Sequence, residues 1–200
     1  MPRPFADEER QLLKEKLRDA ARRRIEEVGV RAVSVAELAR QVGISKGAFY
    51  LLYPSKDALV MEILGDVESE MRDHLRQIAS DRSGSAVELM TQVVRALFDS
   101  VQRHPILALL ADPDEGPVIW RMVPPAEMEE RMADDDRWFG ELASDLRTGG
   151  ILAADAGDDA LAGIARLALT VIRDPDLGRN PGLVDLLCEA LGARLAEGER

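Results

Sequence analysis

Within the stretch Ser45-Lys46-Gly47-Ala48-Phe49-Tyr50-Leu51, an ammonium and a phenol hydroxyl stand four residues apart, on Lys46 and Tyr50. On a helix that spacing puts both on one face. Lys46 can donate to guanine acceptors or to a phosphate, and a tyrosine hydroxyl can donate to a phosphate. Gly47 and Leu51 form the adjoining stripe. A glycine inside a helix costs about 1 kcal/mol relative to alanine, and a close backbone approach to a partner is a reason to accept it. Ser34 and Lys56 fall at or beside predicted helix N-termini, where orphan amides and the helix dipole attract anions. This is the chemistry of polyanion recognition. Arg22, Arg23 and Arg24 point in three directions around a helix and are followed by Glu26 and Glu27, so at most one of them should meet a phosphate.

Other chemistries find little support. No Ser/His/Asp or Cys/His set, glycine-rich phosphate loop or paired-carboxylate motif is present, so no catalytic residue is assigned. His74 and His104 lie far apart, without a second ligand at helical spacing, and Cys188 is the single cysteine. No metal site, cofactor or intramolecular disulfide is therefore expected.

The elements that must position these residues read as helices. Ala, Leu, Glu and Arg dominate, and aromatics make up 4% of the 200 residues. Leu13, Leu17, Ala21, Ile25 and Val28 recur at helical spacing, and Gly29 is expected to end that helix. Ser34-Val35-Ala36-Glu37 is a capping-box signature opening a short helix to Gln41, closed by Gly43. Ser45 caps a second short helix to about Leu52, which Tyr53-Pro54 breaks. Ser55 then caps a long helix from Lys56 to about Ala79. Further helices are predicted over Ala86–Arg103, Ala126–Thr148, Asp158–Arg173 and Leu183–Glu197, with a proline-broken segment between Ala111 and Pro125 and a loop over 174–182. Two short helices joined by a glycine turn outline a helix-turn-helix. Leu38, Val42, Ile44, Phe49 and Leu52 would fasten it to the core.

Charge is distributed to match. Residues 1–60 hold 12 Lys+Arg and 9 Asp+Glu, whereas residues 61–200 hold 14 and 28, which accounts for the net charge of −11. A polyanion should dock only at the basic end. No apolar run approaches the ~18 residues of a membrane span and no signal-peptide core follows Met1, so a cytoplasmic location without membrane contact is expected.

The stretch Ala20 to Leu64, with its helix ending at Gly29, Ser34, the ELAR tetrad, Gly43, SKG followed by Phe49-Tyr50, then Pro54-Ser55-Lys56 and Leu59, resembles the DNA-binding region of TetR/AcrR-family regulators. The resemblance implies that Ser45, Lys46, Gly47 and Ala48 lie nearest the bases of an operator duplex. It also implies that Tyr50 donates to a phosphate and that Ser34 and Lys56 hold flanking phosphates. Ala48 stands where the family often has Thr, and Leu51 where a polar or aromatic residue is common. Leu51 would touch a thymine methyl or pack on Tyr53.

The same resemblance implies a small-molecule pocket in the acidic part. Phe98, Trp120, Met128 and Trp138 are its expected walls and His104 a further candidate, beside the proline-broken segment. Asp135 falls on the apolar stripe between Met132 and Phe139. It should meet Arg166, another partner, or a ligand. The effector expected is apolar and neutral or cationic. The last two helices look too apolar to serve one chain, and in the resembled family the corresponding pair forms a four-helix dimer interface. Leu183, Leu187 and Leu191 are the residues assigned to it.

The expectation is an all-α chain with a helix-turn-helix domain over residues 1–55 and a helical effector-binding and dimerisation domain over residues 56–200. It would act as a homodimeric repressor released from its operator by a small apolar molecule. Two alternatives stand beside it: a helical enzyme or binding protein with a vestigial helix-turn-helix, and a DNA-binding regulator without an effector.

Overall fold

The computed structural model describes residues 7–81 and 83–198, which form eleven α-helices and one 3-10 turn, with no strand among the described residues. The N-terminal head comprises α1 (Asp7–Ala32), α2 (Val35–Gln41) and α3 (Lys46–Leu52). Leu17, Ala20, Ala21 and Ile25 of α1 close over Leu38, Ala39, Phe49 and Leu52 of the two short helices. Ser34 and Ser45 are N-caps, accepting from the amides of Glu37 and Ala48 at 3.2 and 3.1 Å.

The first helix does not stop where expected. Gly29 adopts φ 79°, ψ 166° and kinks α1, and one further turn, residues 30–32, follows. That turn persists because Val30 is fully buried and the Lys56 ammonium donates to the carbonyls of Val30 and Val33 at 2.9 and 3.2 Å.

Helix α4 (Lys56–Ser80), capped by Ser55, runs from the head into the body. Its upper half is tied to the head by Glu62, which accepts from Lys14 (3.2 Å), Arg18 (2.7 Å) and the Tyr53 hydroxyl (3.0 Å). Helix α5 (Ala86–Arg103), opened by a Ser85/Glu88 capping box, is the axis of the body and packs against α4, α9 and α11. Its buried residues cover a little over half of the helix surface, and Glu88, Gln92 and Gln102 lie on the remaining, exposed face.

The proline-broken segment becomes α6 (Pro105–Ala108), a 3-10 turn (Leu109–Ala111) and α7 (Gly116–Trp120). Then come α8 (Pro125–Thr148), α9 (Ala160–Arg173), a single turn α10 (Pro175–Gly178) inside the expected loop, and α11 (Pro181–Glu197). The α10 turn forms because Asp174 caps the amides of Asp176 and Leu177. Helix α11 lays Val184, Cys188 and Gly192 on α5, and a Cβ at Gly192 would come within 2.6 Å of the Thr91 Cα. Glycine there lets the two backbones approach.

Candidate DNA-recognition surface and inner cavity

The α2–α3 corner is built by the backbone. Gly43 takes φ 79°, the Ile44 amide donates to the Ala39 carbonyl at 2.9 Å, and α3 leaves the turn with Phe49 and Leu52 inward. The opposite side of α3 is then exposed: Ser45, Lys46 and Gly47, with Tyr50 at 48% and Leu51 at 41% exposure. An edge-on contact with the buried Phe49 ring, 5.4 Å between centroids, steadies the Tyr50 ring while its hydroxyl faces outward. Leu51 is partly exposed, and Tyr53, 2% exposed, packs beside Phe49.

Two expected contact residues sit differently. Ala48 is 8% exposed and shares the Leu52 stripe, so its methyl backs the helix instead of joining the outward face. Lys56 spends two of its three donors on the Val30 and Val33 carbonyls, so its first task is to fix the turn before α2. Among the basic run, Arg22 faces Glu70 (3.7 Å) and Arg24 binds Glu27 and Glu37 (3.1 and 3.2 Å). Arg40, exposed on the last turn of α2, was not singled out by sequence spacing.

The body forms a cavity of about 690 Å³, open to solvent along one side, between α4, α5, the α6–α7 segment, α8 and α9. Its walls are mostly apolar, with Leu97, Val101, Leu110, Phe139 and Leu169 among them. Of the six residues expected to line it, Trp120, Met128 and Asp135 do, with the 44%-exposed Trp120 open to solvent. The other three are elsewhere. Phe98 is fully enclosed in the core, because Leu97 and Val101 form the stripe of α5 that faces the cavity. Trp138 lies under the guanidinium groups of Arg72 and Arg76, 5.4 and 5.6 Å from its centroid. Its neighbour Phe139 lines the cavity, since consecutive helical residues point about 100° apart. His104 Nε2 is 3.3 Å from Glu70, and burial lowers its pKa, with Glu70 opposing and Arg22 and Arg103 reinforcing.

The polar groups of the cavity are only partly those expected. Asp135 is bound by Arg72, which also holds Asp134 at 3.1 Å, and not by Arg166. Arg166 reaches the same cavity from α9. Glu68 was missed: it lines the cavity and accepts from Arg131 at 2.8 Å, a pair that crosses from α4 to α8. Burial raises its pKa, outweighing the pull of Arg131. The signal was its place in the α4 series Val60, Leu64, Glu68, Met71, Leu75, where it interrupts an apolar stripe.

Among the described residues no group of three or more His, Cys, Asp and Glu stands together as a metal site would require, and no helix is long and apolar enough to cross a membrane.

A two-helix corner with an exposed cationic and phenolic face, set on a larger helical body, defines a helix-turn-helix protein. Residues 17–63 match the family described as bacterial regulatory proteins, tetR family. The HTH-type transcriptional regulator BetI of Escherichia coli O139:H28 is 31% identical over 85 residues, which are 42% of this chain and 44% of that protein. The matched stretch thus spans less than half of this curated relative. The fold extends further. The fatty acid degradation regulator FadR from Bacillus halodurans aligns over 99% of both chains (TM-score 0.68, 16% identity). A TetR-family transcriptional regulator from Pectobacterium atrosepticum aligns over 98% of this chain and 100% of that one (TM-score 0.69, 19% identity). Residues 17–63 thus match the tetR-family helix-turn-helix, and the chain as a whole has the fold of these solved structures.

Proposed function

We propose that the chain is a homodimeric repressor whose operator affinity falls when a small, mostly apolar molecule enters the inner cavity. The observation that carries this reading is the 690 Å³ apolar-walled cavity on the same chain as the helix-turn-helix. Its size suits a drug-sized ligand, and its few polar groups suit orientation of one.

In this reading α3 enters the major groove. Lys46 meets a guanine edge or a phosphate, Gly47 allows close backbone approach, Tyr50 donates to a phosphate and Leu51 meets a thymine methyl. Ser34 and Ser45 keep hydroxyl protons to donate while they cap. Lys56 keeps one donor for a phosphate, and Ala48 supports the helix from behind. The division between head and body is placed at residue 55, at the cap of α4.

The dimer forms through α9 and α11. Leu186 (61% exposed) and Leu167 (37% exposed) stand outward beside the half-buried Leu183, Leu187 and Leu191. Two linked heads then bind two half-sites with an effective-concentration gain. The effector is neutral or cationic. Glu68, Asp135 and Asp136 against Arg131 and Arg166 leave one net negative charge on the lining, within a strongly acidic body.

The test is enrichment of duplexes from a randomised library by the full chain, then a thermal-shift screen of hydrophobic compounds, then a gel shift with any stabiliser. A stabiliser that lowers affinity for the enriched duplex supports the reading. No enriched duplex, or stabilisers that leave duplex affinity unchanged, refutes the corresponding half of it.

A further inference from the structure

The kink in α1 brings two distant segments together. Because Gly29 leaves the helical region, the amides of Val30 and Arg31 lose their partners on the preceding turn. Both are taken by one atom 85 and 84 residues away: Glu115 Oε2 accepts from Val30 at 2.7 Å and from Arg31 at 3.1 Å. A carboxylate on two free amides at the start of a helical turn is an N-cap supplied from another segment. Gly29 is needed for its φ of 79° and for space, since a Cβ there would lie 2.8 Å from the Glu115 carboxyl carbon. The capped turn leads directly through Val33 into Ser34 and α2.

Glu115 is itself held firmly. Asp112 Oδ1 accepts from the amides of Asp114 and Glu115 at 2.8 and 2.9 Å, and the Asp112 carboxylate lies 3.9 Å from Arg173 at the end of α9. The Glu115 carbonyl accepts from Ile119, which is fully buried. Gly116 is wound so tightly that a Cβ on it would stand 2.7 Å from the Leu110 carbonyl oxygen. Leu110, Ala111 and Trp120, on either side of this short loop, line the cavity. The loop is therefore anchored at both ends on cavity-lining residues and carries the cap of the head's last α1 turn between them.

We propose that Glu115 is the positioning residue that sets the orientation of the helix-turn-helix against the body, and that filling the cavity moves the head through it. The second half rests on the effector reading above. Coupling of this kind needs an element that both sites bias, and this loop touches the head through Glu115 while its flanking residues line the cavity.

The experiment uses spin labels on the full chain at Arg40→Cys in the head and Gln92→Cys on α5, both exposed, with labelled chains diluted into unlabelled ones. The native Cys188 is buried and escapes labelling. The distance distribution should be narrow in the otherwise wild-type chain. Glu115→Ala should broaden it roughly twofold or move its centre by about 2 Å, the scale of helix shifts in switching proteins. Glu115→Gln, which keeps an acceptor oxygen, should fall between, and covers the case in which the alanine variant folds poorly. Val30 and Arg31 amide exchange should quicken about fivefold to tenfold on loss of the cap.

Ala165→Phe, which fills the cavity from α9, should shift the distance when Glu115 is present and leave it unchanged in Glu115→Ala. Unchanged centre and width in both Glu115 variants overturns the positioning role. An equal shift from Ala165→Phe with and without Glu115 overturns the coupling role. Neither outcome depends on DNA. A gel shift on the enriched duplex reports the repressor reading separately, so its failure is distinguishable from that of the latch.

Discussion

Replacing Glu62 by Gln tests how the head is fastened to the long helix beneath it. Glu62 of α4 accepts from Lys14 and Arg18 of α1 and from the Tyr53 hydroxyl after α3, so one carboxylate ties three parts of the domain. Hydrogen bonds to a charged group are each worth about 1.5–3 kcal/mol at best. The Glu62, Lys14 and Arg18 side chains are 30%, 23% and 29% exposed, so solvent screening reduces that sum strongly. A net loss of about 1–2 kcal/mol is expected, or roughly 2–8 °C in melting temperature for a chain of this size. Burial pulls the Glu62 pKa up, but Lys14, Tyr53 and Arg18 outweigh it and hold the carboxyl below its ordinary value. A depressed folded-state pKa contributes stability above the unfolded value near 4.3, and that contribution disappears as pH falls through the folded value. Thermal melts of both chains from pH 7 to below pH 4 should show a gap that is full at neutral pH and closes in acid. A gap that stays constant with pH, or none at pH 7, would refute the assignment of Glu62 as a charged tie.

On DNA, Tyr50→Phe should weaken all duplexes alike, and Lys46→Ala should also relax preference at one or two base positions by about 1–3 kcal/mol if it reads a base; competition against a randomised library measures both. For assembly, Leu187→Glu with Leu191→Glu should give monomers by sedimentation that lose tight operator binding. Leu186→Glu, at a 61%-exposed position, should weaken the dimer without unfolding the chain, and a stable dimer in both variants would place the interface elsewhere. In the body, Trp120→Ala should reduce effector affinity by calorimetry with operator affinity nearly intact, whereas Phe98→Ala should cost about 3–5 kcal/mol of stability in a denaturant titration because its ring is fully enclosed.

The parts legible in the sequence are those written in local chemistry. The Ser34, Ser45 and Ser55 caps, the Gly43 turn and the Phe49/Leu52 stripe each depend on residues within a few positions, and the structure realises them, except that Glu37 pairs with Arg24 instead of completing the Ser34 capping box. The parts that were not legible depend on rotation or on distance along the chain. Whether Trp138 or Phe139 faces the cavity is a matter of one helical step, and composition alone favoured the larger ring. The Asp135 partner is Arg72, 63 residues away on another helix, which no periodicity announces. Gly29 looked like a helix end because local rules stop there; the extra turn exists only because Lys56 and Glu115 reach it from elsewhere.

These long-range ties divide the head's attachments into two kinds. Glu62 gathers Lys14, Arg18 and Tyr53 one helical turn or more above the cavity-lining Glu68 and Met71 of α4. Glu115 instead belongs to a loop whose flanking residues, Leu110 and Trp120, line the cavity. Under the proposed repressor reading, a molecule in the cavity would lower operator affinity only by the amount it prefers the arrangement that does not fit DNA. A fivefold to 150-fold change corresponds to about 1–3 kcal/mol of such preference, which is the scale of one displaced cap or of a few buried methylene groups. A switch of the proposed kind would therefore need no large rearrangement of the core. In the proposed homodimer, a shifted support at Glu115, with the Glu62 tie intact, would be sufficient in energy to turn the Lys46–Tyr50 face relative to that of the second copy.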